Sequence, residues 1–250
     1  MEPLQTNRRA SCSLSVVLPC YNPPDEWHLA LQKNMTELNA LLPGYTIQYV
    51  VYNDGSERID SASANATALF PGVMFIDGGK NLGKGAALRK GTEQACGTII
   101  IYSDLDFPFG VPALTEIVQI FENDPACDFV YGKRCPRYFR ILPFKRRLVS
   151  QALHLVNRLF LSREIFDTQA GLKGIRGKWK DVVLSTRTNT FVFDIELIRN
   201  LIRRKMTIKH IDVTPVPGIR FTHFRPKTLL TESINLSKIL IQGILWSQNP

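Results

Sequence analysis

The chain has 250 residues, of which 44% are hydrophobic and 21% are charged, as in an ordinary folded protein with a substantial core. Its formal net charge of +9 favours anionic partners, namely nucleic acid, phosphorylated substrates or an acidic membrane surface. The chain starts with polar residues and contains no run of 18 apolar residues. We therefore expect no signal peptide and no membrane span.

The five cysteines are scattered along the chain, and no two of them have C-x-x-C spacing. This pattern indicates neither a zinc site nor a disulfide framework. We therefore expect a reducing, cytoplasmic setting for this protein.

In the first half, short apolar runs rich in Val and Ile alternate with helical patterns. Strands are predicted at residues 14–19, 47–52, 73–76, 98–102 and 129–131, and helices at 26–41, 85–95 and 113–122. This alternation is typical of βαβ units on a mostly parallel sheet, so we predict an α/β fold. Because the strands are almost continuously apolar, we expect them to be buried on both faces.

After residue 135, basic and aromatic residues crowd together up to residue 147, and a helical pattern with one apolar face follows at 148–160. Further strands are predicted at 171–175 and 208–213, with a helix at 194–203 between them. A last amphipathic stretch covers 229–246. We divide the chain into a polar tail (1–13), one domain (14–215, with halves 14–131 and 132–215) and an amphipathic extension (216–250).

The sharpest motif is Asp104-Leu105-Asp106, which directly follows the strand predicted to end at Tyr102. Two aspartates at i and i+2 in extended chain project to the same side, with Cα atoms roughly 6.5–7 Å apart. Both carboxylates could then approach one divalent cation, whose shell substrate phosphates would complete. A solvated turn rich in aspartate is the alternative interpretation of these residues alone.

Two further segments follow neighbouring predicted strands and reach the same edge of the sheet. Asp54 lies in an Asn-Asp-Gly-Ser turn after the second strand, and glycines with Lys84 precede the helix that follows the third. Backbone N–H groups and a lysine ahead of a helix could bind a phosphate. The segment does not complete a P-loop, because Gly85 stands where Ser or Thr is required. It does not complete a dinucleotide-binding fingerprint either, because Leu88 stands where the third small residue is required.

Five motifs appear in order: VVLPCYN at 16–22, NDGS at 53–56, NLGKGAAL at 81–88, DLD at 104–106 and DTQAGLK at 167–173. Together they resemble family 2 glycosyltransferases, particularly the branch of dolichyl-phosphate mannose synthases and dolichyl-phosphate glucosyltransferases. The resemblance covers residues 14–215. It implies a nucleotide-diphospho-sugar transferase fold of the GT-A type and an inverting transfer from a UDP- or GDP-linked sugar.

The resemblance also implies roles for individual residues. Pro19 and Tyr21 would lie against the nucleotide base, and Asp54 would contact it. Asp104 would face the nucleotide and sugar, and Asp106 would hold Mg²⁺ or Mn²⁺ on the diphosphate. Asn22, Gly83 and Lys84 complete the implied donor site, and Asp167 and Gln169 join the aspartate pair in the implied catalytic set.

A lipid-phosphate acceptor site is implied by Arg134, Arg146 and Ser150, whose side chains could bind a phosphate by charge-assisted hydrogen bonds. A solvated basic face beside a core helix is the open alternative. An acceptor phosphate is already ionised, whereas a glycan hydroxyl would need a general base such as Asp167 or Asp194. Asp194 is also a candidate N-cap for the helix that follows it, and we favour the cap.

Two other functions compete with glycosyl transfer. A nucleotidyltransferase would usually carry a basic glycine-rich loop after the first strand, where this chain has Pro19-Cys20-Tyr21-Asn22. A nucleic-acid-binding module would spread basic and aromatic residues over a continuous groove, whereas here they concentrate at 134–147. We therefore expect a nucleotide-sugar donor, a lipid-phosphate or glycan acceptor, possible peripheral contact with an anionic membrane, and no nucleic acid.

Overall fold

The structure is a computed structural model and describes residues 12–135, 170–190 and 192–217. Its centre is a seven-stranded sheet with the order β3-β2-β1-β4-β6-β5-β7. The strands are β1 (Leu14–Cys20), β2 (Ile47–Asn53), β3 (Val73–Asp77), β4 (Ile99–Tyr102), β5 (Phe129–Arg134), β6 (Lys173–Arg176) and β7 (Ile208–Val213).

The helices are α1 (Trp27–Leu41), α2 (Ser61–Ala68), α3 (Lys84–Gln94), α4 (Val111–Asn123), α5 (Lys180–Leu184) and α6 (Phe193–Arg203), with a 3₁₀ turn at Gly177–Trp179. All neighbouring strands pair in parallel except β6, which runs antiparallel to both β4 and β5. The predicted α/β class with a mostly parallel sheet is therefore confirmed.

The central strands are apolar throughout because helices cover both faces of the sheet. In β1, Val16 and Leu18 face the core under α1 and α4, whereas Val17 faces the core under α3, α5 and α6. Buried residues of α1 recur at positions 27, 31, 35 and 38, which is the stripe of one helical face. The edge strand β3 is only half-buried, unlike the expectation for its apolar run.

Helix α2 was not predicted from the sequence. Its sequence, SASANATA, has no apolar stripe, and the segment begins because the Asp60 side chain caps it by accepting a hydrogen bond from Ser63 N at 2.6 Å. The predicted helices at 148–160 and 229–246 lie outside the described residues. No helix in the described ranges is long and apolar enough to cross a membrane.

The cysteine spacing indicated no disulfide framework and a reducing setting, and one disulfide departs from both expectations. Cys12 and Cys96 form a disulfide between residues 84 positions apart, with their Cα atoms at 5.9 Å. Cys12 lies just before β1 and Cys96 just before β4, and these strands are parallel neighbours. Parallel pairing brings the starts of the two strands together, which the spacing of cysteines in the sequence does not reveal.

Candidate active site

The carboxyl ends of β1, β2, β3 and β4 meet at one edge of the sheet, because these four strands are parallel neighbours. The segments that follow them carry most of the polar residues singled out in the sequence. Ligands of open α/β sheets bind at this kind of edge.

A tight turn after β4 presents the aspartate pair. Phe107 N donates to the Asp104 backbone oxygen at 3.0 Å, and Phe107 adopts a left-handed backbone with φ of 47°. That conformation is unfavourable for a bulky residue, and burial of the phenyl ring in the core stabilises it. The buried ring anchors the turn, while Asp106 and part of Asp104 remain accessible to solvent.

Lys84, the first residue of α3, reaches the aspartate pair. Its Nζ lies 2.5 Å from Asp104 Oδ1. Burial lowers the pKa of this ammonium, but the negative charges of Asp104, Asp194 and Asp106 outweigh burial and raise it, so Lys84 is a cation at neutral pH. The predicted donor-site lysine and the predicted metal-site aspartate are therefore neighbours in space.

The pKa of Asp106 is raised from its ordinary value of 3.8. Although Asp106 keeps part of its surface in solvent, crowding of its carboxyl by protein atoms is the main cause, and repulsion from the Asp104 carboxylate is the second. Both effects would be relieved by a cation, so the pair suits a divalent ion. Mg²⁺ and Mn²⁺ accept carboxylate oxygens, and Mg²⁺ commonly uses one or two of them with substrate phosphates. The described residues contain no cluster of three or more His, Cys, Asp or Glu side chains that could hold a metal ion.

Asp54 is buried beneath the segment that carries Lys84. Its Oδ1 accepts a hydrogen bond from Leu82 N at 2.9 Å, and its Oδ2 accepts one from Gly83 N at 2.8 Å. Gly55, with φ of 69°, lies directly under the same segment. A Cβ at this position would come within 2.4 Å of the Lys80 backbone, so only glycine fits there. The second and third sequence motifs thus form one packed unit.

The residues after β1 frame the other side of this edge. Pro19 is half-buried in β1, and the Tyr21 side chain is 54% exposed, so its ring is open to a ligand. Asn22 has a left-handed backbone with φ of 47°. Its N donates to Ser56 Oγ at 2.8 Å and its Oδ1 accepts from Glu57 N at 3.0 Å, which ties the first motif to the second.

Sequence reasoning missed the contribution of residues 186–189, which lie over the start of α3. Gly85 N donates to the Asn189 backbone oxygen at 2.8 Å, and Arg89 donates to the Thr188 backbone oxygen at 2.7 Å. Glu196 of α6 holds the same segment by accepting from the backbone N–H groups of residues 187 and 188. Side chains at positions 83 and 85 would collide with the backbone of residues 188 and 189. The two glycines were therefore the only sign in the sequence that another segment packs against the start of α3.

Lys173 and Asp194 form a buried ion pair behind the aspartates. Their charged atoms are 2.9 Å apart, and their side chains are 3% and 8% exposed. Lys173 Nζ also donates to the Ala170 backbone oxygen at 2.6 Å, next to Gly171, where a Cβ would lie 2.2 Å from Asp104 Oδ2. The favoured interpretation of Asp194 as an N-cap is wrong, because α6 begins at Phe193 with Val192 at the cap.

The structure therefore brings together most of the implied donor site and the aspartate pair. Arg134 ends β5, a strand separated from β4 by β6. The remaining implied residues lie outside the described part of the chain: Arg146, Ser150, Asp167 and Gln169.

The sheet order and the polar residues at its carboxyl edge define the class as an open α/β domain, and comparison with known proteins gives the family. The model of glycosyl transferase family 2 matches residues 15–180, well over half of the chain. The protein belongs to this family.

Curated relatives are similar at low identity. A dolichol-phosphate mannosyltransferase of Pyrococcus furiosus is 26% identical over 212 residues, which cover 83% of this chain and 57% of that protein. A dolichyl-phosphate beta-glucosyltransferase of Drosophila melanogaster is 26% identical, covering 86% of this chain and 71% of the relative. A bactoprenol glucosyl transferase of Shigella phage SfV is 29% identical over 125 residues, half of this chain and 39% of that protein.

Solved structures share the fold. Glucosyl-3-phosphoglycerate synthase of Mycobacterium tuberculosis, in complex with Mg²⁺ and uridine-diphosphate, superposes with a TM-score of 0.60 at 18% identity. The match covers 94% of this chain and 78% of that one. The same enzyme with Mn²⁺ and uridine-diphosphate-glucose gives a TM-score of 0.59 at 16% identity. These matches confirm the predicted GT-A fold.

Proposed function

We propose that this protein is a metal-dependent, inverting glycosyltransferase that moves a sugar from a UDP- or GDP-linked donor to a polyprenyl phosphate or another lipid-linked acceptor. The observation that carries the proposal is the contact of Lys84 with Asp104 beside Asp106, at the carboxyl edge of a family 2 domain. Two carboxylates and one ammonium there suit a metal-bound diphosphate.

The donor would lie along this edge. The exposed ring of Tyr21 and the adjoining Pro19 offer an apolar surface to the base. Asp104 and Asp106 would hold Mg²⁺ or Mn²⁺, which would offset the negative charge that develops on the leaving diphosphate. Lys84 lies where its cation can stabilise the same charge.

In the reaction, an oxygen of the acceptor phosphate forms a bond to the anomeric carbon from the face opposite the diphosphate. The bond from that carbon to the diphosphate oxygen breaks, and its electrons leave with the nucleoside diphosphate. An ionised phosphate needs no proton removed, so no general base is required. The pairing of Asp194 with Lys173 agrees with this route, because it occupies one of the two carboxylates, Asp194 and Asp167, that could act as a base for a hydroxyl acceptor.

The names of three relatives support the lipid acceptor, since dolichol-phosphate, dolichyl-phosphate and bactoprenol are polyprenyl carriers. Arg134, Arg146 and Ser150 would bind the acceptor phosphate, with Asp167 and Gln169 near the sugar. The net charge of +9 would hold the protein on an anionic membrane surface as a peripheral protein.

The test follows release of UDP or GDP from a panel of nucleotide sugars, with and without polyprenyl phosphate in anionic vesicles. We expect release that requires Mg²⁺ or Mn²⁺, stops in chelator and increases with the acceptor lipid. Release without metal, or from no donor, would contradict the enzyme assignment. Stimulation by a soluble glycan but not by lipid would redirect the acceptor assignment.

Two lysines of the helix α3 supply a test variant and its matched control. Lys84→Met should lower turnover roughly 10²-fold, because it removes a cation from the developing charge. Lys90→Met is the control, since Lys90 lies on the same helix but pairs with Glu93 on its exposed side. Equal activity of the two variants would remove Lys84 from the site.

A further inference from the structure

The ammonium of Lys84 lies on the same carboxylate that would hold a divalent ion. We propose that Lys84 is a specificity-determining residue, which makes the site favour a divalent ion bound to a diphosphate over the same ion alone. This inference rests on the proposed donor site, and it adds how that site distinguishes the two forms of the ion.

Lys84 and Asp104 form a close ion pair at the carboxyl edge of the sheet. The Lys84 Nζ atom lies 2.5 Å from Asp104 Oδ1, and the two side chains are 21% and 40% exposed. The other lone pairs of Asp104 remain open to a ligand, so the lysine does not block a metal ion. It repels the ion instead, because two cations on one carboxylate are neighbours in a partly water-free site.

Neither partner of this ion pair can easily leave. The backbone N–H groups on both sides of Lys84, those of residues 83 and 85, are hydrogen-bonded to other segments at 2.8 Å. Asp104 is confined as well, because a side chain at Gly171 would collide with its Oδ2. The ammonium therefore stays within reach of the aspartate pair, and its charge acts on whatever binds there.

A third carboxylate near Lys84 does not cancel this charge. Burial lowers the pKa of the Lys84 ammonium, but three carboxylates outweigh burial and raise it, and one of them is Asp194. Lys173 lies 2.9 Å from Asp194 and balances its charge. The positive charge of Lys84 is thus left to act on the aspartate pair and its ligand.

The free ion and its diphosphate complexes differ in charge. The diphosphate of a nucleotide sugar balances the charge of a divalent ion, and that of UDP or GDP exceeds it. Lys84 therefore repels the free ion and attracts the phosphate oxygens of the complex. Two carboxylates without the lysine would bind the free cation best. The lysine accordingly keeps free ions from filling the pair before the donor arrives.

The first test measures binding of Mn²⁺ without nucleotide, by electron paramagnetic resonance of the unbound ion. Lys84→Met should bind Mn²⁺ about tenfold more tightly than the unmodified protein or better, because the repelling charge is gone. Lys90→Met removes a lysine on the exposed side of the same helix and should leave the affinity unchanged. Adding Asp106→Asn to Lys84→Met should abolish the gain, which would assign the ion to the aspartate pair.

The second test measures binding of the Mn²⁺ complexes of UDP and GDP by calorimetry. Lys84→Met should bind the complex of the accepted nucleotide about tenfold more weakly or worse, because it loses the attraction to the phosphates. Lys84→Arg keeps the positive charge and should retain both affinities of the unmodified protein within a few-fold. Opposite changes in one variant separate this role from a structural one, since damage to the fold would weaken both ligands.

One result would overturn the proposal: Lys84→Met that binds free Mn²⁺ no more tightly than the unmodified protein, whatever happens to the nucleotide complexes. Lys84→Gln takes the place of Lys84→Met if the latter does not fold. Failure of the unmodified protein to bind either nucleotide complex would instead contradict the proposed function. The titration with free Mn²⁺ would still decide whether Lys84 repels the ion.

Discussion

At the scale of single residues, the candidate site concentrates opposite charges on a rigid turn. Asp104 and Asp106 repel each other, Lys84 offsets part of their charge, and the left-handed Phe107 holds the turn in place. Such an arrangement would suit the proposed cation, because the carboxylates would already be positioned when the ion arrives. It also disfavours the ionised form of Asp106 in the metal-free protein.

Replacing Asp106 by Asn should therefore have opposite effects on stability and on metal binding. A raised pKa means that the folded protein holds the Asp106 proton more tightly than the unfolded chain. The metal-free protein consequently loses stability as the pH rises from the ordinary value of 3.8 through the raised one. Asp106→Asn should remove this loss, so its melting temperature without metal should equal or slightly exceed that of the unmodified protein at neutral pH.

The same variant should lose the extra stabilisation that Mg²⁺ and UDP or GDP give together. In the unmodified protein, this stabilisation should decline on acidification towards the pKa of Asp106, because protons compete with the ion. Thermal melts at several pH values, with and without ligand, measure both effects. A variant that is strongly destabilised without metal would show that Asp106 has a structural role instead.

The residues of this site differ in how far the sequence reveals them. The place of Asp104 and Asp106 at the carboxyl edge could be predicted, because they directly follow an apolar strand. The extended geometry expected for the pair was wrong, since both residues lie in the turn that Phe107 N closes on the Asp104 backbone oxygen. The left-handed backbone of Phe107 could not be predicted, since bulky residues rarely adopt it and only burial of the ring in this core explains it. The contact of Asp54 with Leu82 and Gly83 depends on the path of a loop, which the sequence pattern does not encode.

At the scale of elements, the Lys173–Asp194 pair joins β6 to α6 behind the aspartates. Both charges are almost completely removed from solvent, so each one depends on the other. The apolar stripe of α6 was visible in the sequence and correctly predicted a helix. Its start was misplaced by one or two residues, because aspartate is a common N-cap and nothing local distinguishes a cap from a buried ion-pair partner.

Lys173→Met should destabilise the protein by about 3 kcal/mol or more, since it leaves the Asp194 charge buried without its partner. The melting temperature should then fall by roughly 6–12 °C for a chain of this size. The double variant Lys173→Met with Asp194→Leu should recover much of this loss, because no unpaired charge remains. Denaturant unfolding of the three proteins gives the comparison.

An exposed pair provides the control for this cycle. Lys90 and Glu93 are 51% and 42% exposed and lie 3.2 Å apart, so Lys90→Met should change stability by no more than about 1 kcal/mol. If Lys173→Met and the double variant Lys173→Met with Asp194→Leu were equally stable, the explanation would be wrong. The lost stability would then come from packing and not from an unpaired charge.

At the scale of the whole molecule, the two edges of the sheet that lie at the ends of its strands differ in what they carry. The carboxyl edge carries the candidate site, and the opposite edge carries the Cys12–Cys96 disulfide between the starts of β1 and β4. The βαβ alternation predicted the parallel strands β1 to β4. It could not predict the antiparallel β6, because a strand of four residues, KGIR, carries no information about strand direction.

Alkylation of the unfolded, unreduced protein should label three cysteines, and labelling after reduction should reach five. Reduction should lower the free energy of unfolding by about 2–4 kcal/mol, because the disulfide closes a long loop in the unfolded chain. The double variant Cys12→Ser with Cys96→Ser should not respond to reductant. Labelling of all five cysteines before reduction, in protein prepared under oxidising conditions, would refute the pairing.

The place of β6 in the sheet bears on how enzymes of this kind can be recombined. β6 comes from the second half of the chain but lies between β4 and β5 of the first half, and Gly171, just before it, touches Asp104. A chimera joined at residues 131–132 would insert a foreign strand into the middle of the host sheet. A crossover after Arg176 keeps β6 with both of its partners and separates only β5 from β7. The proposed acceptor residues Arg134, Arg146 and Ser150 also precede that second boundary, so donor and acceptor preferences should be transplanted together.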